Sequence, residues 1–150
     1  MTDKRRWTRL SNRIGVAMYR GLHGRLSSAS RNVHVLLLTT PGRRTGLPRS
    51  TCVRYLQRPD GLLVWGTGSG SRADPDWFKN LRAAGVTDVQ VRDRQFQARV
   101  HELHGPERDR VWREVILTQA PEAEKYALRA GRTIPVAVLE PLPPDDGRAP

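Results

Sequence analysis

Cysteine is almost missing from this 150-residue chain: Cys52 stands alone. That excludes an internal disulfide and any metal site built from several thiolates. Lysine is nearly as scarce, with three residues against 23 arginines. The basic charge is therefore carried by planar guanidinium forks, which suit phosphate and carboxylate partners. Aromatic residues make up 6%, few for stacking on bases. No nucleic-acid-binding module is recognisable, so no nucleic-acid partner is expected. No apolar run approaches the roughly 18 residues of a membrane-spanning helix. The N-terminus is basic but lacks the apolar core of a secretory signal, so the expected location is cytoplasmic. Acidic residues are absent from 41–58, where five arginines fall.

What is present is a net charge of +11, unevenly spread. Residues 1–31 hold eight basic residues and one acid. In 5–22, Trp7, Leu10, Ile14, Ala17, Met18 and Leu22 recur at helical spacing among arginines. This reads as a basic amphipathic helix, suited either to pack on the domain or to lie on an anionic membrane at its cytoplasmic face. A Gly/Ser-rich linker follows it. The organisation expected is a helix and linker over 1–31, a single folded domain over 32–141 and a disordered tail over 142–150.

Within the domain, strands are expected over 33–40, 50–56, 62–67, 86–91, 96–103 and 134–139. Short turns join the first three, including Arg58-Pro59-Asp60-Gly61, so the pairing should be antiparallel. Asp74 and Pro75 read as the N-cap and first residue of a helix running to Ala84, with Trp77, Phe78 and Leu81 inward. Pro106 and Pro121 open two further helices. Six antiparallel strands with flanking helices make a mainly β (α+β) domain, a small barrel.

Two loops carry the chemistry. Pro41 to Arg49 holds Gly42, Gly46, Arg43, Arg44 and Arg49, with hydroxyls at Thr45, Ser50 and Thr51 nearby. Its backbone N–H groups and guanidinium groups can cradle an anion. Gly66 to Ser71 is a second loop of small polar residues after a strand. It matches neither the dinucleotide fingerprint nor the P-loop. His101 and His104 form only a weak zinc pattern, Cys52 reads as core, and no nucleophile elbow is present. A catalytic role would thus require a cofactor to carry the reaction.

The ordered motifs L-L-L-T-T-P-G-R-R-T-G-L-P-R-S-T, V-R-Y-L, D-G-L-L-V-W-G-T-G, D-P-D-W-F-K-N-L, E-R-D-R-V-W and R-T-I-P-V-A-V-L-E-P, spread over 33–141, resemble the deazaflavin (F420)-dependent nitroreductase family of actinobacteria, the nitroreductase/quinone reductase group. The resemblance implies a split β-barrel of the flavin-reductase/pyridoxamine-phosphate-oxidase type. It implies coenzyme F420, an anionic deazaflavin with a phosphodiester and polyglutamate tail, as hydride donor to a quinone, enone or nitro compound. It implies Leu37, Leu38, Thr39, Arg43, Arg44, Thr45, Gly46, Leu47, Pro48 and Arg49 along the cofactor's phosphate and tail. Val64, Trp65, Gly66, Thr67 and Gly68 would follow its ring, with Trp77 and Asn80 shaping the pocket. Thr67 and Tyr126 are the implied catalytic residues. Ala123 stands where the family pattern has a further tyrosine, a change expected to widen the pocket. The altered pattern also motivates an alternative, a non-catalytic binder of a flavin-like or lipid ligand on the same barrel. The expected partner is a small hydrophobic acceptor, with homodimerisation left open.

Overall fold

The computed structural model describes residues 34–144. The expected basic helix over 5–22, the linker and most of the expected tail lie outside them. Six strands form a closed antiparallel barrel: β1 (His34–Pro41), β2 (Pro48–Arg58), β3 (Gly61–Trp65), β4 (Val86–Val91), β5 (Arg94–Leu103) and β6 (Val136–Pro141). Around the barrel the order is β1-β2-β3-β6-β5-β4, and β4 pairs with β1 to close it. The helices are α1 (Asp76–Ala84), α2 (Gly105–Val111), α3 (Leu117–Gln119) and α4 (Ala123–Ala130), with a π-helical turn, Trp112–Ile116, joining α2 to α3.

Alternation along the strands sorts the apolar residues into two cores. Leu36, Leu38, Val53, Leu62, Val64, Val89 and Leu139 fill the barrel, and Phe78 and Leu81 of α1 join them. Burying a side chain such as Phe78 contributes about 1.5–3 kcal/mol. The opposite faces of β3 and β6 supply Leu63, Trp65, Val136 and Val138, which meet Trp112, Ile116 and Ala123 from the C-terminal helices. Both faces of β3 are thereby covered, which explains why its sequence is apolar throughout rather than alternating.

Three local expectations are corrected. Asp74 does not cap α1: Pro75 takes that place, with no side-chain cap bond. The Asp74 carboxylate is held instead by Arg132 and Arg82. Gly61 is not in the β2–β3 turn but pairs with Arg58 as the first residue of β3. Its φ is +146°, and a Cβ there would lie 2.3 Å from the Leu139 carbonyl oxygen, so glycine permits the approach of β6. The last strand begins at Val136 rather than 134, because the Ile134 carbonyl is taken by Arg108 and the Pro135 carbonyl by Gly66 N–H.

Candidate functional site

β1 and β3 both run antiparallel to β2, so their C-terminal ends meet at one end of the barrel. The arginine loop leaves β1 there, and the Gly66–Ser71 loop leaves β3. Helix α1 serves both. Phe78 and Pro75 stand against Gly66, while Asp76 and Asn80 hold Arg43.

The arginine loop is tied off by two backbone bonds, Gly42 N–H to the Leu47 carbonyl and Gly46 N–H to the Gly42 carbonyl, both 2.8 Å. Gly46 takes a left-handed φ of +71°, which a side chain would resist. Arg43 turns back onto α1. Its Nη1 donates to Asn80 Oδ1 at 2.9 Å and its Nη2 to Asp76 Oδ1 at 3.0 Å. The Asp76 carboxyl is held below the ordinary range, first by its hydrogen bond to Arg43 and then by that guanidinium's charge, with Lys79 and Arg44 adding to it. The Arg43 charge is thus engaged internally.

Arg44, Arg49 and Lys79 are different. Among the described residues the side chain of none of the three makes a hydrogen bond or ion pair. With Gly42, Arg43, Thr40, Thr45, Thr51, Asp76, Trp77 and Asn80 they line a cavity of about 760 Å³. Four cations and one carboxylate give it an excess of three positive charges. This donor set fits an extended anion, held through bidentate guanidinium contacts and hydroxyl donors. Lys79 was not singled out from the sequence. Its position one residue before Asn80, on the helix face toward the loop, was the available signal.

The second loop is more ordered than its composition suggests. Gly68–Gly70 forms a 3-10 turn in which Ser69 holds a left-handed φ of +55°, a conformation costing a non-glycine residue about 1–2 kcal/mol. Arg132, also missed from sequence, clasps the loop from outside. Its Nε donates to the Ser71 carbonyl at 3.0 Å and its Nη1 to Asp74 Oδ1 at 2.7 Å. Its Nη2 donates to the carbonyls of Gly66 and Thr67 at 3.1 and 3.2 Å. Helix α4 packs against this turn and carries the half-buried Tyr126, whose ring lies 6.0 Å from the Arg129 guanidinium. The two candidate catalytic residues, Thr67 and Tyr126, therefore sit on adjoining elements.

The remaining sequence-derived positions divide. Leu38 and Val64 point into the barrel core, and Trp65 packs in the second core, so their side chains support the site from behind. Leu37 and Thr39 face another groove, with Asp88, Phe96 and Pro141. Leu47 is 59% exposed at the loop tip, and Pro48 pairs with Pro41 at the loop base. Ala123 is buried in the second core. It fills packed space under β3 and β6, so the expected widening of an open pocket does not occur through it. His101 pairs with Glu140 at 2.5 Å, and among the described residues no three His, Cys, Asp or Glu side chains gather as a metal site. Cys52 is a free, half-buried thiol pushed up by burial.

A family model described as F420H(2)-dependent quinone reductase matches residues 11–141. An F420H(2)-dependent quinone reductase of Mycobacterium tuberculosis (strain ATCC 25618 / H37Rv) is 32% identical over 147 residues, covering 91% of this chain and 97% of the relative. Among solved structures, an F420-H2 dependent reductase, FDR-A, superimposes with a TM-score of 0.62 at 25% identity, covering 74% of this chain and 96% of that one. A protein described as a domain-swapped dimer matches in fold with a TM-score of 0.63 at 22% identity, over 92% of this chain and 100% of its own.

Proposed function

The chain belongs to the F420H(2)-dependent quinone reductase family, and from that membership we propose that it reduces a quinone at the barrel end between the two loops. It is an F420-dependent oxidoreductase on a split β-barrel. The observation that carries the site assignment is the charge of Arg44, Arg49 and Lys79, engaged by no side-chain partner among the described residues, in the cavity between the arginine loop and α1.

When bound, the reduced deazaflavin supplies a hydride, two electrons and one hydrogen nucleus, to the acceptor. Arg44, Arg49 and Lys79 hold the phosphodiester and the acidic tail, with Thr45 and Thr51 adding hydroxyl donors. Arg43 keeps the loop docked on α1 rather than meeting the anion. The backbone of Gly66, Thr67 and Gly68 would follow the edge of the ring, while the missing side chains of Gly66 and Gly68 leave room for Phe78, Pro75, Pro135 and Ser71 behind it. The Thr67 hydroxyl and the Tyr126 phenol orient the quinone. Reduction of a quinone to its hydroquinone needs a proton beyond the hydride, and Tyr126 or water delivers it to the quinone oxygen. Enones and nitro compounds are acceptors of the same electronic type, expected to react more slowly in a site shaped for a quinone. A basic N-terminal stretch suits delivery of the enzyme to quinones dissolved in an anionic membrane. Among the described residues, no helix is long and apolar enough to cross one.

The test is titration of reduced F420, followed by its fluorescence, with the parent protein and with Arg44→Ala combined with Arg49→Ala. Loss of two guanidinium contacts should weaken binding by about 100-fold, each worth about 1.5 kcal/mol. Salt should weaken the parent more steeply than the variant. Equal affinity in both proteins, or none in the parent, would overturn the assignment.

A further inference from the structure

We infer that Arg132 is the positioning residue of the ring cradle, acting through the peptides of Gly66, Thr67 and Gly68 without touching the cofactor itself. This rests on the reading of the Gly66–Ser71 loop given above and names the group that sets its geometry.

A trans peptide is planar, so its C=O and the following N–H point in opposite directions. Arg132 holds the carbonyls of Gly66 and Thr67 on its own side. The N–H groups of Thr67 and Gly68 are therefore turned to the opposite side, and among the described residues neither has an acceptor. One guanidinium reaches both peptides and so fixes the direction of two consecutive donors, joined at the Thr67 carbonyl by the Gly70 N–H at 3.0 Å.

The clasp is itself anchored. Its base lies in the short link between α4 and β6, where buried Arg108 donates twice to the Ile134 carbonyl, at 3.0 and 2.7 Å. The adjacent Pro135 carbonyl accepts the Gly66 N–H at 3.0 Å. On the other side, Asp74 is shared between Arg132 and Arg82, and Arg82 grips Glu102 of β5 through two bonds of 2.8 and 2.7 Å. The chain Glu102, Arg82, Asp74, Arg132 thus ties the loop to the barrel wall. The Arg132 side chain is only 15% exposed, so water competes weakly for these bonds. A lysine cannot replace it: one ammonium lacks the planar fork that reaches a carboxylate and three carbonyls at once.

Three measurements test the inference. The first is amide hydrogen exchange of the cofactor-free protein. Arg132→Lys should exchange about tenfold faster over 66–74, with the arginine loop over 42–47 unchanged. The second is binding of the deazaflavin chromophore lacking the phosphodiester and tail. Arg132→Lys should bind it at least about tenfold more weakly, while affinity for inorganic phosphate, a probe of Arg44 and Arg49, stays at the parent value. The third is rescue: added guanidinium ion should restore chromophore binding to Arg132→Ala, and ammonium ion should not. Parent-like exchange and parent-like chromophore affinity in Arg132→Lys would overturn the role of Arg132 while leaving the F420 assignment intact. A parent protein that binds F420 but shows no affinity for the bare chromophore would overturn the cradle reading itself. A parent that binds neither would overturn the functional reading on which both depend.

Discussion

Asn80 Oδ1 accepts two hydrogen bonds from Arg43, one from its backbone N–H at 3.1 Å and one from its Nη1 at 2.9 Å. A single buried amide oxygen thus docks the arginine loop onto α1. Asn80 is 6% exposed, so removing it strips two part-buried Arg43 donors of their acceptor. Asn80→Ala should cost about 1–3 kcal/mol of stability, read as a lower Tm. It should also raise the Kd for reduced F420, because Arg44 follows Arg43 out of register. Asn80→Asp keeps the acceptor oxygens beside a guanidinium and should restore most of the Tm. A Tm unchanged in Asn80→Ala would show that the loop is held by its own backbone bonds alone.

Asp76 works against anion binding in the same cavity. It is the one carboxylate among the lining residues, and Arg43 lowers its pKa, so it stays ionised well into acid. Asp76→Asn removes a negative charge near Arg44 and Lys79. Affinity for F420 should rise about threefold at low salt, and the gain should fade as salt screens it. The sign for stability is the reverse. A depressed carboxyl pKa contributes stability above the unfolded value and loses it as pH falls through the folded value. Asp76→Asn should therefore flatten the acid limb of the Tm profile, below about pH 4. An affinity lowered by the substitution would mean that the carboxylate contacts the ligand directly.

Asp88 gives the opposite pH behaviour. It lies on β4 across from Thr39, and burial pushes its carboxyl up, with the hydrogen bond from Gln97 opposing the shift. A raised carboxyl pKa means that the folded state holds the proton longer than the unfolded chain. Asp88 therefore favours folding below its unfolded value, and that contribution declines as pH rises through the window up to the folded value. At neutral pH the half-buried charge is a net cost. Asp88→Asn should raise Tm slightly at pH 7 and leave it unchanged or lower at pH 3. Thermal melts across that range check it. A lowered Tm at pH 7 would show that the ionised carboxylate has a stabilising role that burial does not offset.

The barrel was legible because strand alternation and short turns are local signals, and six of them in antiparallel order close on themselves. The arginine loop was legible for the same reason: Gly42 through Arg49 are contiguous. What the sequence did not reveal depends on long-range approach. Arg132 meets the loop across 58 to 66 residues, and nothing in R-T-I-P marks its guanidinium as a carbonyl clasp. Asp74 looked like a helix cap because its neighbour is Pro75, yet two arginines from elsewhere outcompete the local backbone for it. Trp65 and Val64 were expected on one surface as neighbours in a motif. A strand turns them to opposite faces, and both faces of β3 happen to be covered.

Ala123 shows how a departure from a family pattern changes meaning once its surroundings are seen. It opens α4 and is 3% exposed, packed with residues of β3, β6 and the C-terminal helices. Close-packed interiors accept extra volume poorly, and forcing in a larger side chain costs about 1–3 kcal/mol, sometimes more. Ala123→Tyr should therefore lower Tm rather than add a proton donor to the site. Helix α4 also carries Tyr126 and abuts the Gly68–Gly70 turn, so a tyrosine at 123 should displace that helix and reduce kcat for quinone, with the Kd for F420 changed less because Arg44, Arg49 and Lys79 lie on other elements. Differential scanning calorimetry and steady-state kinetics on the one variant separate the outcomes. A variant with parental Tm and raised turnover of nitro compounds would show that this position opens toward the substrate after all.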